Sequence, residues 1–178
     1  ILKTNRLGAK DADLFIYKPK TANEVDLKAE HINQYIRDSS GMGFTAKNFR
    51  TWAATSRCAE RLAFLSTKRT AAEMKKWLKT IPSVESMDKL WSEGDWDVPD
   101  TDAGRNKAML AVIDTVAANL GNTRTVCRSS YIHPWFLDAW ADGRLGEAWA
   151  EFQGMRAMGN MTPGESTTLR ILKSVINA

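Results

Sequence analysis

The sequence predicts a mainly helical domain, and three features predict it. Apolar residues recur at helical spacing in several stretches, most clearly at Leu110, Ile113, Val116, Ala117 and Leu120. Two capping boxes, Thr70-Ala-Ala-Glu73 and Thr162-Pro-Gly-Glu165, mark helix starts, because the threonine hydroxyl and the glutamate carboxylate each satisfy a backbone N–H that a first turn leaves free. Gly41, Gly121, Pro134 and Gly143 fall between the periodic stretches, where helices stop and restart.

Residues 1–24 hold Gly8, Pro19 and the apolar run Leu14-Phe-Ile-Tyr17, which reads as a short N-terminal strand or an extended segment laid on the core. From Val25 onward, Leu27, Ile32, Tyr35 and Ile36 approach helical spacing until Gly41 and Gly43 end the run, with His31 inside this helix. Thr45 is placed to cap a second helix, whose buried stripe draws on Phe49, Trp52, Ala53, Leu62 and Leu65. Lys47 and Arg50 lie on its first turns. Flanked by Phe49 and Trp52, Arg50 emerges at the edge of the core, where a guanidinium can be held rigidly.

A third helix opens at Thr70 and runs through Leu78, and Ile81-Pro82 stops it, since the residue before a proline is driven out of the helical region. Residues 83–102 are acidic, with Glu85, Asp88, Glu93, Asp95, Asp97, Asp100 and Asp102 around Gly94 and Pro99. This segment reads as a surface insert or long loop with two apolar anchors, Trp91 and Trp96, and its carboxylates as solvated rather than metal-binding. Ala108–Leu120 is an amphipathic helix. Trp135, Phe136, Leu137 and Trp140 supply another that ends at Gly143; Glu147–Met158 forms the next, and Thr162 opens the last, through Leu169, Leu172, Val175 and Ile176.

A chain of 178 residues makes one domain, 1–178, large enough to bury a real core without staples. Its two cysteines, Cys58 and Cys127, are too few for a disulfide framework and lack metal-ligand spacing, which points to a reducing cytoplasmic compartment. The longest apolar stretch, Ala108–Leu120, is broken by Asp114 and too short to span a membrane. A net charge of +4 and a pI of about 9.1 permit a polyanionic partner without requiring one. The seven tryptophans show no repeat period and serve as core anchors. Ile1 begins the chain without an initiator Met or a signal-peptide pattern, and the chain is read as a fragment of a longer protein.

Chemistry is concentrated in Leu120-Gly-Asn-Thr-Arg-Thr-Val-Cys-Arg-Ser-Ser-Tyr-Ile-His-Pro134. Gly121 suits the left-handed position after a helix end, Thr123 caps a new turn, and Pro134 opens the next helix where a missing N–H costs least. Tyr131 therefore stands at a junction between helices, among Arg128, Ser129, Ser130 and His133, rather than inside a periodic apolar face.

That segment, together with Phe44-Thr-Ala-Lys-Asn-Phe-Arg-Thr-Trp-Ala53, resembles the catalytic domain of type IB DNA topoisomerases, in particular the bacterial and poxvirus-like branch. The likeness extends more loosely from about Leu14 to the C-terminus. It implies a helical catalytic domain of the tyrosine DNA breaking-rejoining type, with Tyr131 as nucleophile, Arg50 as a phosphate-binding catalytic arginine, and Asn122, nine positions before the tyrosine, where the family has His or Asn. Lys47 matches a basic residue near the same phosphate; Arg124 and Arg128 are read as further nucleic-acid contacts. Double-stranded DNA is the implied partner of a monomeric, nucleoid-associated enzyme that nicks and reseals without ATP, metal or other cofactor. In this family a lysine on a hairpin protonates the departing 5′ oxygen, and that lysine and a further catalytic arginine precede the matched segment. Neither motif is found in residues 1–40, so the fragment alone is expected to relax DNA weakly or not at all.

The chemistry agrees with those roles. A phenol has a pKa near ~10 and is a poor nucleophile at neutral pH unless a cation stabilises the phenolate or a base takes its proton. Arginine donates two hydrogen bonds at once to the charged oxygens of a five-coordinate phosphorus, which lysine cannot reproduce. Asn122 can donate an N–H with no protonation state to manage. Tyrosine recombinases are the nearest rival, but they carry His-x-x-Arg between the first arginine and the tyrosine, and neither His31 nor His133 is followed by Arg three positions on. A non-catalytic DNA-binding module would use Lys47, Arg124 and Arg128 on phosphates alone. A Cys127–His133 hydrolase lacks a third member to complete its triad.

Overall fold

The computed structural model describes residues 2–4, 15–17 and 25–177. Among them stand nine α-helices and three short strands, divided between two compact units, Ile1–Phe49 and Arg50–Ala178. The fold class is mainly α, as the helical periodicity and capping signals require.

In the first unit, β1 (Leu2–Thr4), β2 (Phe15–Tyr17) and β3 (Val25–Asp26) form an antiparallel sheet in the order β1-β2-β3. The strand expected around residues 14–17 is β2. Val25, read as the start of a helix, is instead in β3. Lys3 pairs with Ile16 across β1 and β2, and residues 5–14 and 18–24, with Gly8, Leu14 and Pro19, lie outside the described residues. Helix α1 (Ala29–Ser40) starts where His31 Nδ1 accepts the Lys28 backbone N–H at 3.2 Å, so this histidine is a capping group. It ends at Gly41, whose φ of 64° is open only to residues that tolerate the left-handed region, with its N–H on the Arg37 carbonyl at 2.9 Å. Helix α2 (Ala46–Leu65) begins in this unit. Asn48, not Thr45, provides its side-chain cap: Asn48 Oδ1 accepts the Thr45 N–H at 2.9 Å and the Thr45 hydroxyl at 2.7 Å.

The second unit contains the rest of α2 with α3 (Ala71–Leu78), α4 (Glu85–Leu90), α5 (Asp102–Leu120), α6 (Arg124–Ser130), α7 (Pro134–Ala141), α8 (Leu145–Phe152) and α9 (Pro163–Ile176). Leu62, Leu65, Ile113, Val116, Phe136 and Trp140 are buried at its centre, each contributing roughly 1.5–3 kcal/mol of burial free energy. The buried face of α2 runs through Ala54, Cys58, Ala59, Leu62 and Leu65, while Phe49, expected in that stripe, is 57% exposed. Trp96 and Trp140 are buried, and Trp77, Trp91, Trp135 and Trp149 pack against the same core.

Residues 83–102 are more than a surface loop. They include α4, whose Met87 is buried, and Trp96, which is buried with its indole N–H on the Leu65 carbonyl at 2.9 Å. Two reciprocal backbone hydrogen bonds join Trp96 to Arg69. The carboxylates of this stretch dominate its composition, yet Met87 and Trp96 are buried in the core and Val84, Leu90 and Trp91 pack against it. Helix α8 stops at Phe152 rather than continuing to Met158, and Gly154 follows with φ of 83°, a left-handed conformation that cannot continue a helix.

Arg61 ties α2 to α5. Its side chain is 8% exposed and donates to Thr115 Oγ1 at 2.9 Å and Asn119 Oδ1 at 2.6 Å. Burial lowers its pKa to about 10, which leaves it charged at neutral pH. The two neutral acceptors therefore anchor a cation beside the last turn of α5. No described helix is long and apolar enough to cross a membrane.

Candidate active site

Helix α5 delivers the site. Gly121 ends it with φ of 65°, and Asn122 donates its backbone N–H to the Ala117 carbonyl at 3.0 Å, which closes the helix end and turns the chain. Thr123 then accepts the Val126 N–H at 3.3 Å and opens α6. Tyr131 follows α6, with its N–H on the Cys127 carbonyl at 3.1 Å and its backbone at φ −130°, ψ −21°, outside the helix. Two residues later His133 Nδ1 accepts the Trp135 N–H at 3.3 Å and Pro134 occupies the first position of α7. The junction read from Gly121, Thr123 and Pro134 is present.

Arg50 comes to this junction from 70 residues away. Its Nη2 donates to the Leu120 carbonyl at 2.8 Å, at the negative end of α5, and its guanidinium carbon lies 5.3 Å from the centroid of the Tyr131 ring. Among the described residues that single hydrogen bond occupies one of five donors. Arg50 is half-buried, as its place beside Trp52 suggested. A guanidinium held by a carbonyl, with donors to spare beside a phenol, can grip an anion next to that phenol.

Asn122 stands two residues beyond the carbonyl that Arg50 grips. Its amide nitrogen Nδ2 is buried and, among the described residues, has no hydrogen-bond partner. An unpaired buried donor costs roughly 1–3 kcal/mol. A side chain that incurs such a cost is a candidate for function, although the amide must turn outward before it can meet a ligand.

The remaining candidates divide. Arg124 is committed to Asp114: its Nε donates to Asp114 Oδ1 at 2.6 Å and its Nη2 to the other carboxylate oxygen, which Ser86 also contacts. The Arg124 side chain holds the Asp114 carboxyl below its usual range, and the carboxylate raises the arginine in turn. Arg124 thus braces α6 against α5 while its side chain stays 44% exposed. Arg128 is exposed and lines an open cleft of about 550 Å³ with Thr125, Ser129, Leu137 and Asp138. Lys47 is exposed on the first turn of α2, in the other unit.

Thr55 escaped the sequence reading. It is 3% exposed on α2, donates its hydroxyl to the Tyr131 carbonyl at 3.0 Å and accepts the His133 N–H at 3.1 Å. A threonine in an otherwise apolar helical stripe carries no sequence signal for such a contact. The Leu120 carbonyl was equally invisible, being backbone.

Cys127 is fully buried, and burial raises its thiol pKa, so the thiolate needed for hydrolytic chemistry is disfavoured. Cys58, also buried, is raised further by the same cause. Among the described residues no group of three or more His, Cys, Asp or Glu could hold a metal ion.

A family model described as eukaryotic DNA topoisomerase I, catalytic core, matches residues 3–139, a span that contains Arg50, Asn122 and Tyr131. Among curated proteins none matches.

Proposed function

The chain belongs to the type IB DNA topoisomerase family, through the catalytic core of eukaryotic DNA topoisomerase I, and from that membership we propose that Tyr131 attacks a DNA phosphodiester with Arg50 and Asn122 as its electrostatic partners. The family is one of isomerases that break and rejoin DNA strands. For this chain the reading is relaxation of supercoils through a 3′-phosphotyrosyl intermediate. Within the family, the segment Leu120–Pro134 favours the bacterial and poxvirus-like branch.

The supporting observation is the Arg50 guanidinium 5.3 Å from the Tyr131 ring, held there by the Leu120 carbonyl. In the step we assign, Tyr131 Oη attacks phosphorus, an O–P bond to tyrosine forms, and the bond from phosphorus to the 5′ oxygen breaks. The phenol releases its proton and the 5′ oxygen takes one up. Arg50 neutralises the non-bridging oxygens, and because it is a fixed donor in a partly water-excluded site, little reorganisation is needed as charge develops. Asn122 supplies a second donor. The phosphotyrosyl ester conserves the energy of the broken bond, so resealing by the 5′ hydroxyl requires neither nucleotide nor metal.

The test uses a pool of duplexes, each carrying one 5′-bridging phosphorothiolate. A thiolate leaves without help from an acid, so this substrate reports the tyrosine and its phosphate-binding partners whether or not the general acid is present. Wild-type protein should become covalently joined to the 3′ end of the nick, and Tyr131→Phe should not. A link mapped to Tyr17 or Tyr35, or one that survives in Tyr131→Phe, refutes the assignment. Parallel duplexes with ordinary oxygen linkages locate the acid. Slow cleavage there, beside rapid cleavage of the sulfur substrate, would mean that the chain supplies no acid to the 5′ oxygen; equal cleavage would mean that it supplies one.

A further inference from the structure

The structure assigns Thr55 as a positioning residue, one that fixes the backbone of the nucleophile to the same helix that carries Arg50; this inference rests on the proposed function. Neighbouring hydroxyls bond locally: Ser56 on α2 donates to the Trp52 carbonyl at 2.9 Å, and Ser66, just past the end of α2, donates to the Leu62 carbonyl at 2.9 Å, both four residues back. Thr55 does not. Its hydroxyl proton goes to the Tyr131 carbonyl at 3.0 Å and its oxygen accepts the His133 N–H at 3.1 Å, so one buried side chain closes both ends of the Tyr131–Ile132–His133 turn.

Geometry gives that clamp a consequence. Arg50 and Thr55 are five residues apart on one helix, a rise of about 7.5 Å, and Arg50 approaches the Tyr131 ring while Thr55 grips the Tyr131 backbone. The separation between the proposed phosphate-binding arginine and the nucleophile is therefore set by a rigid α-helix rather than by two loops. Ile132, the middle residue of the turn, is 6% exposed and anchors it from below. Without the clamp, the turn hangs between the last hydrogen bond of α6, from Tyr131 to Cys127, and the His133 cap of α7. Either end could then shift by a fraction of an ångström, and misplacement of about 1 Å in a reacting group costs about a hundredfold in rate.

Thr55→Val keeps the shape and removes both hydrogen bonds; Thr55→Ser keeps both. On the phosphorothiolate duplexes, Thr55→Val should form the covalent complex roughly a hundredfold more slowly than wild type at saturating DNA, with the DNA dissociation constant unchanged, and Thr55→Ser should react at nearly the wild-type rate. Thr55→Ala leaves room for water to pair with the freed backbone groups; if Thr55→Val does not fold, Thr55→Ala provides the measurement, with an expected loss of about tenfold. Ser56→Ala, which removes a hydroxyl bonded within α2, is the control and should react as wild type. Equal rates for wild type, Thr55→Val and Thr55→Ala overturn the inference, as does a loss confined to DNA affinity or one that Ser56→Ala reproduces. A covalent complex that forms in Tyr131→Phe as readily as in wild type refutes the proposed function itself, a result distinguishable from failure of the Thr55 role alone.

Discussion

Replacing Asn122 with alanine should move stability and activity in opposite directions, which few substitutions do. In the free protein Asn122 Nδ2 is buried without a partner among the described residues, an arrangement that costs roughly 1–3 kcal/mol. Alanine removes that donor but also removes half-buried packing atoms, which offsets part of the gain. The backbone hydrogen bond from Asn122 to Ala117 does not depend on the side chain, so the end of α5 is retained. The expected net change is between zero and about +1 kcal/mol of added stability. If the amide turns to donate to a non-bridging phosphate oxygen in the transition state, its loss should slow covalent-complex formation by roughly ten- to a thousandfold, or about 1.4–4 kcal/mol of barrier. DNA affinity should hardly change, because the interaction is made chiefly when charge develops. Urea denaturation gives the first quantity, and single-turnover cleavage of phosphorothiolate duplexes with a parallel binding titration gives the second. Asn122→Ala that is destabilised by more than about 1 kcal/mol and cleaves at the wild-type rate would make the amide a structural member and defeat the reasoning.

Arg50→Lys should slow cleavage about a hundredfold, since an ammonium lacks the fork that lets one nitrogen hold the Leu120 carbonyl while others reach a phosphate; a rate within threefold of wild type in single-turnover cleavage counts against the role. Arg124→Ala should cost about 1 kcal/mol near neutral pH, at the upper end for a partly exposed pair. Its pH dependence has a definite sign. The Asp114 carboxyl lies below its usual range in the folded protein, so the stabilisation is present above the ordinary carboxylate pKa of about 3.9 and is lost as the pH falls through the lower folded value. Wild-type and Arg124→Ala melting curves should therefore converge in acid, and a gap that persists there would show that the pair is not its source. Gly121→Ala should lower the midpoint of thermal unfolding by a few degrees: an alanine Cβ there meets nothing within 4 Å, so the loss is the cost of about 1 kcal/mol of holding a non-glycine residue at φ 65°. An unchanged midpoint would indicate that the turn relaxes.

By itself the sequence determined what depends on local geometry. Thr70, Glu73, Thr162, Glu165, Gly121 and Pro134 act within one or two turns of themselves, and the helix starts, stops and junction they encode are where spacing put them. The likeness of Phe44–Ala53 and Leu120–Pro134 to the type IB topoisomerases was legible for a related reason, because it rests on residue types at short fixed spacings along the chain, and both segments lie within the span that the family model matches. Tertiary structure decided what depends on partners distant in the chain. Arg124 and Arg128 have the same chemistry and lie four residues apart on α6, yet only Arg124 faces Asp114 across the α5–α6 contact and is bound there. Met87 and Trp96 sit in an acidic stretch whose composition suggested a loop, and they are buried because α5 and the end of α2 present apolar surface to them. Thr55 has two backbone partners more than 70 residues away. A hydroxyl finds such partners only once α2 and the Tyr131 turn have packed together, and no pattern within α2 records where they will be.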